Sequence, residues 1–425
     1  MGKALIVVAE TSEALASGNE LAVIGGQSVN ATEGNTQISC TEGATFSNLR
    51  MNVTAGNSGT ATFRFRDAGA NGQQVLSFTG TGINEDATNT DVLTAGDLFN
   101  YSYVDTGTNA TWRWVTMNVT LASGHGSIHG ADSATPRILD VTSSTRFIPL
   151  SGRIETDASA TEDPTEWKVR GYDSIASMQV KVTANARVND SIFRNRINGA
   201  DGTGVVTFVS SATGIIEDTA INDSLAAGDT INASVTLNTG VEDLSLAAVA
   251  AVLKSTGNHS EAWTANANGI ARAASATAHY APIGGWFDSI TLWDEAAARI
   301  RPGFAGTASN LRCYLSANTY TSNGTLKLMQ NTSSVITTTL TASGGAGWYE
   351  NTSDTVSFDA DDEFSLEFDE GGTGSATITA AGLTFQAAGG AAAQMFTHFQ
   401  ARTDGLGHGG IFPGNRVLQK LDYKV

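Results

Sequence analysis

The sequence predicts an all-β protein of three tandem β-sandwich units followed by a C-terminal extension. Three observations predict it. "GINEDAT" (82–88), "GIIEDTA" (214–220) and "GWYENTS" (347–353) are near-copies spaced 132 and 133 residues apart, so one unit of about 130 residues recurs. Within each copy apolar residues alternate with polar ones, the period-two mark of a strand with one buried face. The 425 residues include 46 glycines, abundant Thr, Ser, Asn and Ala, and 7 lysines. That mixture favours strands joined by tight turns over long helices.

Taken in order, "AVIGG" (22–26), "IPLSG" (148–152) and "APIGG" (281–285) read as the hydrophobic-then-glycine opening of each unit. The next strands are "SNLRMNV" (47–53), "IASMQVKV" (175–182) and "SNLRCYL" (309–315). Their inward residues are Leu49, Met51, Val53; Met178, Val180, Val182; and Leu311, Cys313, Leu315. Then come "FRFRDAG" (63–69), "FRNRING" (193–199) and "LKLMQNT" (326–332), with Phe63, Phe193 and Leu326 inward and Arg64, Arg194 and Lys327 following. The Glu-containing copies read as turns. After them Asp97, Asp229 and Asp362 each precede an alternating strand. Its buried face is Phe99, Tyr101, Tyr103; Ile231, Ala233, Val235; or Phe364, Leu366, Phe368. "WRWVTMNVTL", "LSLAAVAAVL" and "ATITAAGLTF" close the units, and "WDEAAARI" (293–300) is the one helical candidate.

Many short strands with turn signals about every 8–12 residues indicate β-sandwiches, and a jelly roll fits their size. The expected boundaries are 1–130 with an N-terminal arm, 131–266, 267–392, and the extension 393–425.

The motifs P-L-x-G, S-N-L-x-V-x-V, F-R-x-N-G, G-x-x-E-D-T and A-G-D-x-x-N resemble repeat modules of tailed-bacteriophage virion proteins. Those modules look like tumour-necrosis-factor-type jelly rolls. The resemblance spans most of 22–390, and the second copy matches best. The third departs, with Asp361 in place of the A-G-D glycine and Asn351 in place of the Asp after Glu. The resemblance implies a structural virion role and supplies no catalytic residues.

Net charge is −18 with a pI near 4.6, which lacks the positive footprint that nucleic-acid binding needs. Cys40 and Cys313 are 273 residues apart; both read as small buried hydrophobes and free thiols. The N-terminus has a four-residue apolar run where a secretory segment needs about 7–15, and no stretch approaches the roughly 18 residues of a membrane span. The expectation is a chain without secretory leader or membrane insertion.

Candidate sites weigh as follows. Glu85, Glu217 and Glu350 recur, with Asp86 and Asp218 beside two of them, but no His, Ser or Cys recurs at a fixed offset. Acid–base chemistry needs such a partner or a split carboxylate pair. The repeated acids therefore read as structural, accepting backbone N–H bonds or pairing with a repeated Arg. His125 and His129 in "GHGSIHG" read as a Gly-rich loop with Asp132 the only nearby acid, too few ligands for zinc. His259, His279, His398 and His408 are isolated in sequence. "DADDEF" (359–364) has the oxygen ligands calcium takes and equally the charges that guard a strand edge. Trp112 and Trp114 share a strand face suited to stacking a sugar, and Trp348 aligns with Ile83 and Ile215 as core. No catalytic, cofactor or metal residue is assigned, and no nucleotide loop or hydrolase elbow occurs.

The expected function is a non-enzymatic structural protein of a bacteriophage virion surface: fibre, spike or capsid decoration. Its partners are other capsid or tail proteins and copies of itself, with a trimer considered and a host surface glycan kept as a ligand class. The expected location is the virion, assembled in the host cytoplasm. A carbohydrate-binding surface adhesin is the alternative and a polysaccharide depolymerase the third reading. Segment 393–425, with Arg416, Lys420 and Lys424 against an acidic whole, is expected to dock on the particle.

Overall fold

The computed structural model describes residues 2–8, 19–22, 29–30, 33, 37–55, 58–107, 111–122, 126–139, 144–150, 152–153, 160–238, 243–257, 259–273, 278–281, 283, 295–302 and 304–388. They form six sheets, and three apolar clusters lie between the sheets in pairs. The third sandwich shows the plan most simply. One sheet has the order His259–Ala273, Ser375–Ala387, Gly306–Asn318, Gly347–Phe358. The facing sheet runs His279–Ala281, Phe364–Asp369, Gly324–Gln330, Ser333–Leu340. Numbered along the chain these orders are 1-8-3-6 and 2-7-4-5, the arrangement of a jelly roll.

The other two sandwiches repeat the plan. Gly2–Val8, Thr111–Leu121, Ala44–Ala55 and Gly82–Leu93 form one sheet of the first, facing a sheet centred on Leu98–Asp105 and Ala61–Asp67. In the second, Gly126–Leu139, Leu244–Lys254, Ser174–Asn185 and Gly214–Asp218 face Thr145–Ile148, Thr230–Thr236, Ser191–Ile197 and Ala200–Phe208. Every described pairing is antiparallel except that of Ala131 and Asp132 with Gly152 and Arg153.

Alternation decides which faces are inside. "ATFRFRD" (61–67) and "SIFRNRI" (191–197) have the same burial pattern, position for position. Leu49, Met178 and Leu311 are fully buried. They lie opposite Asp86, Asp218 and Asn351 in the ladders. The three copies therefore share one register, which a single-residue slip would have inverted. Asn198 (φ 50°) and Gly199 (φ 74°) turn the hairpin between Ser191–Ile197 and Ala200–Phe208. Two successive left-handed residues match the twist of the flanking strands, and Asn-Gly adopts that geometry at least cost.

Several expectations change. The "AVIGG", "IPLSG" and "APIGG" segments align as expected, since Ala22, Ile148 and Ala281 pair with the equivalent residues Tyr101, Ala233 and Leu366. They are not openings, however: an earlier strand begins each sandwich. Gly2–Val8 pairs residue for residue with Val115–Leu121, so the expected N-terminal arm is a sheet strand. Gly126–Leu139 and His259–Ala273 likewise run across the expected 130/131 and 266/267 boundaries. The Glu-containing copies are edge strands, not turns. An edge strand with one half-exposed face loses the alternation that betrays a central strand. His129 lies in a strand, not a loop, while His125 lies outside the described residues. So do the side chains of Trp112 and Trp114 and all of 393–425. Glu295–Ala298 is helical, as "WDEAAARI" suggested.

Candidate functional site

The repeated acids do structural work at the edge strands. The ladder beside each copy takes up two extra residues: Ser47 pairs Thr90 while Leu49 pairs Asp86, and Ser309 pairs Thr355 while Leu311 pairs Asn351. Asp86 accepts bonds from the N–H groups of Thr88 (3.2 Å) and Asn89 (3.1 Å) in that bulge, and from Val75 N–H (2.9 Å) on the facing sheet. Burial pushes the Asp86 carboxyl up, but the donors Asn89, Val75 and Thr88 outweigh it and hold it below its ordinary value. Asp218 accepts from Val205 and Ala220 N–H, both at 3.0 Å. Asn351 Oδ1 accepts from Ser353 and Asp354, so the third copy keeps the cap without the charge. The bulge N–H groups occupied this way are withdrawn from further strand pairing.

Asp97, Asp229 and Asp362 also repeat one bond: each Oδ2 accepts the N–H of the residue three before it, Thr94, Ala226 or Asp359, at 2.7 Å. Gly96 and Gly228 are left-handed in the first two turns, whereas Asp361 in the third is not. In "DADDEF", Asp362 also accepts from Gln330, Glu363 pairs with Arg299 and Arg301, and Asp361 is 98% exposed. Among the described residues no group of three or more His, Cys, Asp or Glu is placed to hold a metal ion. Cys40 and Cys313 are buried free thiols.

The most developed polar site lies where successive sandwiches meet. Sequence reading missed it. On the outer face of the third sandwich, Arg312 Nη2 donates to Glu261 Oε2 at 2.7 Å, both side chains having no exposed surface. Arg312 Nε donates to Lys168 O of the second sandwich at 2.6 Å, and its guanidinium stands 4.4 Å from the Trp263 ring centre. Glu261 in turn accepts the N–H groups of Arg170 and Gly171 and the indole N–H of Trp263. The Trp263 ring stacks on Trp167 of the second sandwich at 5.5 Å and 9°. Gly382 is required beneath it, because a Cβ there would lie 2.6 Å from the ring. Glu350 accepts from Lys168 and Arg170 across the same boundary. Burial pushes the Glu350 carboxyl up, yet these two cations outweigh it and hold it below its ordinary value.

The boundary between the first two sandwiches uses the same positions. Gln179, equivalent to Arg312, accepts Ser39 N–H at 2.8 Å and donates to Ser39 O at 2.6 Å, both bonds buried. Ser39 is equivalent to Lys168: Ile38–Ser39 pairs with Phe99 and Leu98 as Trp167–Lys168 pairs with Ile231 and Thr230. Ala248 and Val252, on the outer face of the second sandwich, belong to the apolar cluster of the first. Trp348 is therefore not core of its own sandwich. It lies half-buried against the second sandwich's cluster, and its counterpart Ile83 is 41% exposed. One signal was present in the sequence: Glu261 is the only acidic residue between Asp243 and Asp288.

No family model matches the chain and no curated protein matches it. Among solved structures the chain is similar to one titled "The Triple Jelly Roll Fold and Turret Assembly in an Archaeal Virus". That match has 13% identity, 85% of this chain and 83% of the other covered, and a TM-score of 0.18. It is also similar to the atomic structure of Sulfolobus Turreted Icosahedral Virus (12%, 82% and 81%, TM-score 0.19). A third similarity is to infectious bursal disease virus Gx strain (11%, 63% and 73%, TM-score 0.18). No helix among the described residues is long and apolar enough to cross a membrane.

Proposed function

We propose that this chain is a non-enzymatic structural protein of a bacteriophage virion surface, serving as fibre, spike or capsid decoration. Three tandem jelly-roll domains, cut near 122–126 and 254–259, act as rigid blocks, and segment 393–425 attaches them to capsid or tail. The observation that carries the reading is the repeated joint. Gln179 and Arg312, at one position of the repeat, each grip the same backbone point of the preceding block. A chain that uses buried polar residues to lock block to block is organised for rigidity and presentation. Of the repeated acids, Asp86 and Asp218 are engaged by backbone N–H groups and Glu350 by that joint. Several weak attachments per chain then add as avidity.

The test is quantitative mass spectrometry of purified phage particles, with electron microscopy of particles labelled by an antibody to this chain. A fixed copy number per particle and surface labelling are expected. Absence from washed particles, or hydrolysis of host polysaccharide by the purified chain, would overturn the reading.

A further inference from the structure

Each joint puts the outer face of one sandwich on the end of the sandwich before it, so among the described residues the first sandwich keeps a face and the third an end that no other sandwich covers. That face carries Arg50, equivalent to Gln179 and Arg312, and Glu85, equivalent to Glu350: Arg50 pairs Glu85 in the ladder as Arg312 pairs Glu350. The end is equally well defined. Ile300 N donates to Phe364 O and Phe364 N to Ile300 O, both at 2.8 Å. Phe364 is equivalent to Phe99 and Ile231, so Ile300 takes the place of Ile38 and Trp167, and Arg301 that of Ser39 and Lys168.

We infer that the first sandwich of one copy docks on the third sandwich of a second copy, extending the intrachain stack from molecule to molecule. The inference stands independently of the virion reading. Register assigns the contacts. Arg50 takes the carbonyl of Arg301 in the second copy, as Arg312 takes Lys168 O. Glu85 takes the Arg301 guanidinium, as Glu350 takes the Lys168 ammonium. The contacts match in charge, with Arg301 shared between Glu85 and its own-chain partner Glu363 (3.0 Å). In the single chain Arg50 instead pairs with Glu85, Nη2 to Oε1 at 2.7 Å, with side chains 13% and 38% exposed. Their equivalents both reach across a joint, Arg312 to the Lys168 carbonyl and Glu350 to the Lys168 and Arg170 side chains. The Arg50–Glu85 pair is thus the undocked arrangement of a position that exchanges partners on docking. Beside it, Ile83 is 41% exposed where Trp348 packs on a neighbouring sandwich. Because face and end are different surfaces, the contact is heterologous and grows into an open series or closes as a ring.

Sedimentation velocity on the full chain over about a hundredfold concentration range tests this. Species growing by whole-chain increments are expected. Arg301→Glu and Glu85→Arg should each weaken association about tenfold or more, and the double variant should restore it. Circular dichroism and melting of each variant confirm that it is folded. A chain monomeric at every concentration overturns the proposal, as does a dimer that never grows, or association indifferent to both single reversals. A double variant no stronger than the singles overturns the Glu85–Arg301 contact.

Discussion

Arg312 and Glu261 form an ion pair at 2.7 Å with no solvent-exposed side-chain surface, on the outer face of the third sandwich where the second sandwich covers it. Breaking a buried pair by removing one partner leaves an uncompensated charge, which costs about 3–5 kcal/mol. Arg312→Met should therefore destabilise by about that amount. Arg312→Met with Glu261→Gln should recover much of it, because no bare charge then remains. Denaturant unfolding of the two variants checks the order.

The Gln179–Ser39 contact between the first two sandwiches carries no charge, and its failure should be milder. Gln179→Ala leaves Ser39 N–H and C=O without their amide partner in a buried setting. An unmet buried polar group costs about 1–3 kcal/mol. Amide hydrogen exchange at Ser39 should accelerate in this variant while exchange at Phe193 stays slow.

Leu311 is fully buried opposite Asn351. Leu311→Ala should cost about 2–5 kcal/mol through lost burial and a residual cavity. Chemical denaturation measures it, and Leu49→Ala should behave alike at the equivalent position.

Acid should loosen the second joint. The Glu350 carboxyl, with an ordinary value of 4.5, lies lower in the folded chain through Lys168 and Arg170. A depressed folded value means stability that is present above the unfolded value and lost as pH falls through the folded one. Asp86, lowered from 3.8, has the same sign. Melting temperature should hold from neutral pH down to the ordinary carboxyl range and drop below it. In Glu350→Gln that drop should be smaller. A flat acid profile in the parent chain would refute the assignment.

Neither cysteine should react in the folded chain. Burial pushes the Cys40 thiol up to about 12 and raises that of Cys313 further, and the thiolate is the reactive form. Iodoacetamide should add nothing under native conditions and two groups after denaturation, read by intact mass.

Periodicity and self-similarity by themselves determined the all-β class, the shared register and most of the core. Leu49, Met178 and Leu311, or Phe63, Phe193 and Leu326, are inside because period-two alternation is written locally, each apolar residue being two away from the next. The edge strands were hidden for the same reason. Around Glu85 and Glu350 most side chains are only partly covered, so nothing alternates and the segments look like turns. The joints were illegible. Whether Arg312 faces water or the Lys168 carbonyl depends on which sandwich lies across from it, and Arg50, at the same position of the repeat, pairs with Glu85 of its own sheet instead. Local patterning states that a residue points outward from its own sheet. Only the packing of one sandwich on the next decided whether that outside was solvent or a desolvated partner, because burial between distant segments leaves no periodic trace in either.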